Sequence, residues 1–272
     1  MQSLKIMIIF FIKFLFFFYL FLIASLYIFQ RQLIFKGSYS NLKFVNENNF
    51  KKIHLTTEDG VNIYAYIKEA ETKSDKAIII FHGNNDLAGN ALKRHIENGF
   101  DDVDFDLIAI EYRGYDEIKP FTPSQDNLIK DVKSLIPLFK NYKKIVFKAH
   151  SIGSFPAIAL SKFYNPDAII LEAPLYNMIK PASKVAFFMP FKLVNAVLKE
   201  KFENNKIVKD IQFNQALVLH SKDDKTIDFN DGKALFDLIN AKNKKFKEYE
   251  NYGHNDIVKY DYEDIKEFLK GI

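Results

Sequence analysis

Residues 6–29 are almost continuously apolar, broken only by Lys13 and Ser25. As a helix rising 1.5 Å per residue, this run reaches roughly 36 Å, enough to cross a bilayer with some tilt. A secretory signal has a shorter hydrophobic stretch, about 7 to 15 residues, and a small-x-small cleavage site, which is missing after this run. A buried core helix seldom carries so many phenylalanines without a polar face. The pattern predicts an uncleaved, single-pass membrane anchor over 1–30 and a connector over 31–49. Lys5 precedes the run and Arg31, Lys36 and Lys43 follow it, a count that slightly favours a cytoplasmic domain, whereas a short tail ahead of a long domain is the usual arrangement of an anchor that exports it, so the side of the membrane stays open.

From residue 50 the pattern changes to short strands. Runs at 52–56 and 61–67 flank Glu58-Asp59-Gly60, which reads as a hairpin turn. Apolar strands follow at 77–81, 107–112, 145–149, 168–171, 216–220 and 246–249. Helix-like segments fall at 87–98, 124–139, 154–164, 231–239 and 260–269, with Ser124 as the N-cap of the second. Strands apolar on both faces, alternating with helices, predict an α/β domain over 50–272: a parallel sheet covered by helices. Ligands of such sheets sit beyond the carboxyl ends of the strands. The stretch 175–214 breaks the alternation. It carries Phe187-Phe188-Met189-Pro190-Phe191 and a helix-like run to Phe202 where a single helix would suffice. Two readings stand. One is a lid whose aromatic cluster lines an acyl pocket or touches the membrane; the other is a helical hairpin packed on the sheet.

Length and charge narrow the picture. The 272 residues accommodate one domain of roughly 200–250 residues plus the anchor. Thirty-eight basic and 34 acidic residues give a net charge of +4 without a basic stripe, so nucleic acid is not an expected partner. Cysteine is absent, which excludes disulfides, thiolate chemistry, cysteine lipidation and cysteine-type zinc sites. Arginine is confined to Arg31, Arg94 and Arg113 amid abundant lysine, a coding bias rather than a functional sign.

Candidate chemistry centres on Ala149-His150-Ser151-Ile152-Gly153, between the strand at 145–149 and a helix-like segment. A strand, a sharp turn and a helix with serine at the apex form a nucleophile elbow, where crowding demands small residues two positions either side. A serine so placed needs a base, a group to orient that base, and oxyanion donors. Of six histidines, only His254 lies on a glycine-preceded loop after the last strand. His82 and His150 flank motifs and read as structural, His54 and His95 lack visible partners, and His220 reads as a strand-end hydrogen bonder. For the orienting carboxylate the residues alone leave Asp224, the adjacent Asp223 and the strand-end Glu172. The oxyanion donors are expected at the Ile152 N–H and in His82-Gly83-Asn84-Asn85, where Asn84 is assigned with Asn85 as alternative. No metal or cofactor is needed.

Phe81-His82-Gly83-Asn84, Glu111-Tyr112-Arg113-Gly114-Tyr115, Thr122-Pro123-Ser124, His150-Ser151-Ile152-Gly153, His220-x-x-x-Asp224-x-x-Ile227 and Gly253-His254 follow one another from about residue 50 onward. In these motifs the chain resembles the membrane-anchored α/β-hydrolase-domain serine hydrolases. The resemblance implies an α/β-hydrolase fold: about eight mostly parallel strands with helices on both faces and a short helical lid, over about 175–214. It also implies a Ser151-Asp224-His254 triad, the family spacing selecting Asp224 over Asp223. Such enzymes cleave esters, thioesters and sometimes peptides through an acyl-enzyme. The expected substrate is a small-molecule or lipid-like ester or thioester with an apolar acyl group, met at the membrane. A serine peptidase or a catalytically silent scaffold are the alternatives, and nothing in the chain indicates an oligomeric state. Departures from the pattern are Ala149 for the usual glycine, Asp116-Glu117-Ile118 without Gly-x-Ser, a longer loop at 85–90, and Ser221 for a common glycine. They bear on the shape of the acyl site more than on the triad.

Overall fold

The apolar run folds into one long helix, α1 (Gln2–Ile34). Its large side chains from Leu4 through Phe18 stay exposed, and only Gln30 and Ile34 near its end are buried. The computed structural model describes residues 2–46, 50–119 and 121–272, so the end of the expected connector, 47–49, lies outside the described residues. The helix continues past residue 30, and that end is tied to the domain. The Gln30 side-chain amide donates to the Val197 carbonyl and accepts from the Lys199 N–H, while Arg31 pairs with Glu200 at 2.7 Å.

The domain begins with β1 (Lys51–Thr56), β2 (Asn62–Lys68), β3 (Lys76–Phe81), α2 (Ala88–Glu97), β4 (Asp106–Ile110) and α3 (Gln125–Lys133). Next come β5 (Lys144–His150), α4 (Ser154–Leu160), β6 (Ala168–Glu172), α5 (Ile179–Val185), α6 (Phe191–Val197) and α7 (Asn204–Ile207). It ends with β7 (Gln212–Ser221), α8 (Phe229–Leu238), β8 (Asn240–Tyr249) and α9 (Tyr262–Leu269). One sheet holds all eight strands in the order β1-β2-β4-β3-β5-β6-β7-β8. β1 and β2 form the expected hairpin and β2 meets β4 antiparallel; every later neighbour is parallel. Strands β3 to β6 are almost wholly buried, as their apolar runs require.

Two elements differ most from the pattern expected. β8 starts at Asn240 rather than 246, because Asn240-Ala241-Lys242-Asn243-Lys244-Lys245 is an exposed edge whose lysines discourage further pairing and hide its strand character. The helix expected over 124–139 ends at Lys133 and resumes as a 3-10 turn, Ile136–Asn141. Pro137 lacks an N–H and cannot continue an α-helical ladder there. Ser124 is its N-cap, accepting from the Asn127 N–H at 3.2 Å.

Behind the elbow, Lys148 and Glu172 form an ion pair that is almost fully buried. Burial opposes the Glu172 charge, but the Lys148 ammonium holds its carboxyl below the usual carboxylate range. Burial and the Glu172 charge drive the carboxyl of neighbouring Asp261 well above the usual carboxylate range. Lys148→Met is expected to destabilise the protein by about 3–5 kcal/mol, since it leaves a buried carboxylate without its counter-charge. Adding Glu172→Leu should recover most of that loss. Urea midpoints of the detergent-solubilised chains check both variants.

Candidate active site

β5 ends at His150 and the chain passes through one 3-10 turn, Ser151–Gly153, into α4. Ser151 holds φ at +56°, the left-handed region, which costs a residue with a Cβ about 1–3 kcal/mol and recurs where function fixes the backbone. The turn lies so close to β3 that a Cβ on Gly153 would stand 2.3 Å from the Phe81 carbonyl oxygen. The small residue expected there is thus a steric necessity. The Ser154 hydroxyl closes the turn by donating to the Ser151 carbonyl at 2.7 Å.

Two loops from distant parts of the chain meet this serine. His254, after β8, places Nε2 2.8 Å from Ser151 Oγ. Its Nδ1 lies 2.6 Å from Asp224 Oδ2, on the loop after β7. Asp223 turns away and accepts from the Asn251 N–H at 2.6 Å, and Glu172 is taken by Lys148. Of the three carboxylates left open by the residues, Asp224 is the one brought to His254. Its other oxygen, Oδ1, accepts from the Thr226 and Ile227 N–H groups, and Oδ2 also receives His220 Nε2 at 3.2 Å. Burial works against the Asp224 charge, yet the bonds from His220 and His254 hold its carboxyl well below the usual carboxylate range. An Nδ1–H at this position can donate to the Asp224 carboxylate, with Nε2 left facing the serine hydroxyl.

Sequence reasoning set aside two further histidines that support this chain of contacts. His150 Nε2 lies 3.1 Å from the His254 carbonyl and steadies the histidine loop. Burial and then the nearby His254 push His150 down to about 4, so it is neutral and donates there. His220 helps hold Asp224. The His220-x-x-x-Asp224 spacing was a visible signal for that role, whereas the His150 contact spans 104 residues and had none.

Asn84 and Ile152 share one cavity with Ser151 and His254. Among the described residues, neither backbone N–H is taken by a turn, loop or side-chain acceptor. The connector orders the Asn84 loop: the Lys36 N–H donates to Asn84 Oδ1 at 2.8 Å and the Gly37 N–H to its carbonyl at 3.1 Å. A Cβ on Gly37 would lie 2.7 Å from that carbonyl oxygen, so only glycine passes. Asn85 also lines the cavity.

The cavity measures about 530 Å³. Its walls are chiefly apolar: Leu26, Leu33 and Ile34 from α1, and Met178, Val185 and Met189 from the segment that broke the strand-helix alternation. The contribution of α1 was not legible in the sequence, where the apolar run reads as a separate anchor.

No protein-family model matches the chain. It is 25% identical over 227 residues to the lysophosphatidylserine lipase ABHD12 of Danio rerio, covering 70% of this chain and 59% of that protein. It is 24% identical over 224 residues to the alpha/beta hydrolase domain-containing protein 17B of Homo sapiens, covering 78% and 73%. A Pyrococcus furiosus esterase matches with a TM-score of 0.66 at 15% identity, covering 85% of this chain and 96% of that one. Est1E from Butyrivibrio proteoclasticus matches at 0.64 and 13%, covering 81% and 98%. The fold is the α/β-hydrolase fold, preceded by one long apolar helix, and the homologues are α/β-hydrolase-domain proteins.

Proposed function

We propose that the protein is a membrane-anchored serine hydrolase that cleaves an ester or thioester of an apolar acyl group at Ser151. The observation that carries this reading is the continuous contact from Ser151 Oγ to His254 Nε2, at 2.8 Å, and from His254 Nδ1 to Asp224, at 2.6 Å. The lipase and esterase activities named for its relatives support the same reaction class.

In this reading the Ser151 hydroxyl attacks the acyl carbon as His254 Nε2 takes its proton. Asp224, kept ionised, stabilises the imidazolium so formed. The Ile152 and Asn84 N–H groups hold the oxyanion of the tetrahedral intermediate. Collapse breaks the bond to the leaving alkoxide or thiolate, which receives the proton from His254. Water then attacks the acyl-enzyme with His254 again as base, releasing the acid and restoring the serine. The apolar cavity would hold the acyl chain. α1 is long and apolar enough to cross a membrane and its apolar stretch ahead of Tyr19 is uncovered by the rest of the chain, which supports its role as the anchor.

A fluorophosphonate should label the wild type on Ser151 alone. Turnover of p-nitrophenyl esters is expected to rise by about tenfold or more from acetyl to octanoyl, as methylenes enter the cavity at ~0.8 kcal/mol each. A preference for acetyl would remove the apolar-acyl assignment. Activity confined to aminoacyl amides would replace it with a peptidase.

A further inference from the structure

α1 and the α5–α6 hairpin run side by side. At the domain end Arg31 pairs with Glu200 at 2.7 Å. Twelve residues earlier, Tyr19 meets Phe188 edge-on with ring centroids 6.2 Å apart. Between these contacts Ile23 and Leu26 pack against a cluster of Ala186, Met189 and Val194. From Tyr19 to Arg31 the helix rises about 18 Å.

This geometry constrains where the bilayer lies. The part of the apolar run ahead of Tyr19, residues 6–18, rises only roughly 20 Å, short of a hydrocarbon core of about 30 Å. For α1 to span, the hydrocarbon must extend beyond Tyr19 toward Phe29, and Phe188 then lies at hydrocarbon depth with it. The outer face of the hairpin matches that placement. Phe187, next to the Phe188 that meets Tyr19 of α1, is 85% exposed, and Phe191 is 58% exposed. In water this would be an apolar patch without a partner. The turn between α5 and α6 spends few free donors, since the Ala186 and Met189 N–H groups bond to Ala182 and Ala186 and Pro190 has none. Lys184 and Lys192 are exposed, with stems long enough to carry their charges back to the headgroups.

We propose that the α5–α6 hairpin is inserted, together with α1, in the leaflet on the domain's side, and that the cavity takes its acyl chain laterally from the hydrocarbon. The partner is the lipid surface itself. The cavity lies between these two membrane-facing elements, with Leu26 and Leu33 on one wall and Val185 and Met189 on the other, and Ser151 on the same lining. The acyl-entry half of the proposal rests on the hydrolase reading above; the insertion half rests on the anchor.

The chain has no tryptophan, so each Phe→Trp variant carries a single reporter. In full-length protein reconstituted into phosphatidylcholine vesicles containing mid-chain brominated lipid, Phe187→Trp should be quenched about as strongly as Phe17→Trp, on exposed α1. Phe163→Trp, just beyond α4, should not be quenched. Phe187→Trp escaping quenching while Phe17→Trp is quenched overturns the insertion, and escape by both overturns it together with the anchor. Neither Phe187 nor Phe191 lines the cavity. Phe187→Asp with Phe191→Asp should therefore slow hydrolysis of a long-chain ester dissolved in the vesicle by about tenfold or more, and leave a water-soluble butyrate ester within about twofold. Equal loss on both esters, or on neither, overturns lateral entry. A wild type inert toward both esters removes the hydrolase reading, and the quenching still decides the insertion.

Discussion

Ser151→Ala is expected to lower ester hydrolysis by about 10⁶-fold, His254→Ala by a similar factor, and the double variant by no more than either alone, because a nucleophile and its base act as one unit. What remains should be about 10³–10⁴-fold above the uncatalysed rate, supplied by the oxyanion donors and by binding. Neither change should disturb the fold. Alanine keeps the Cβ at Ser151 and takes the same φ of +56°, and the Gly153 contact with β3 that sets the turn is untouched. His254 is on a surface loop, held through its carbonyl by His150 and not through its ring alone. Initial rates on p-nitrophenyl octanoate, with fluorophosphonate titration of active sites, measure the loss. Retention of more than about a hundredth of the activity by Ser151→Ala would move the nucleophile elsewhere, since triad losses are orders of magnitude larger.

The parts of this site that could be read from the sequence are those made by contiguous residues. A strand, Ser151 and Gly153, and a helix specify a turn within a few positions, so the elbow is visible as a string. The same holds for Ser124 and for the hairpin at Glu58-Asp59-Gly60. The choice among carboxylates was different, because neighbouring Asp223 and Asp224 follow the same strand. Their fates are set by the turn in which the Asp224 N–H bonds to Ser221 and Asp223 is drawn to Asn251, 28 residues away. Composition hid the first half of β8, since an edge strand that must avoid pairing carries lysines and looks like a loop. The apolar run revealed its length but not its neighbours. Nothing in residues 6–29 says that Leu26 walls a cavity or that Tyr19 meets Phe188, contacts settled by packing across some 170 positions.

Asp224→Asn should cost about 10⁴-fold in turnover, with substrate binding little changed. The reason is a conflict of donors. In the wild type Oδ2 faces two imidazole nitrogens, His254 Nδ1 at 2.6 Å and His220 Nε2 at 3.2 Å, while Oδ1 faces the Thr226 and Ile227 N–H groups. An amide has one acceptor atom for these two sets of donors. If its NH₂ faces the histidines, His254 must move its proton to Nε2, and the lone pair that should receive the Ser151 proton is gone. If its oxygen faces them, the NH₂ opposes the Thr226 and Ile227 N–H groups and the loop that aims the side chain loosens. Asp223→Asn, whose native carboxylate accepts from the Asn251 N–H on the far side of its loop from His254, should lose about tenfold or less. Stability should follow the same charge. Asp224 is held well below its unfolded value of ~3.9, so its ionisation stabilises the fold above that pH and the contribution fades as pH falls through the folded value. The wild type should therefore unfold at higher urea than Asp224→Asn at pH 7, and the gap should shrink below about pH 4. A gap that stayed constant with pH would mean that the loop, rather than the charge, carries the difference, and a larger rate loss in Asp223→Asn than in Asp224→Asn would transfer the triad role to Asp223.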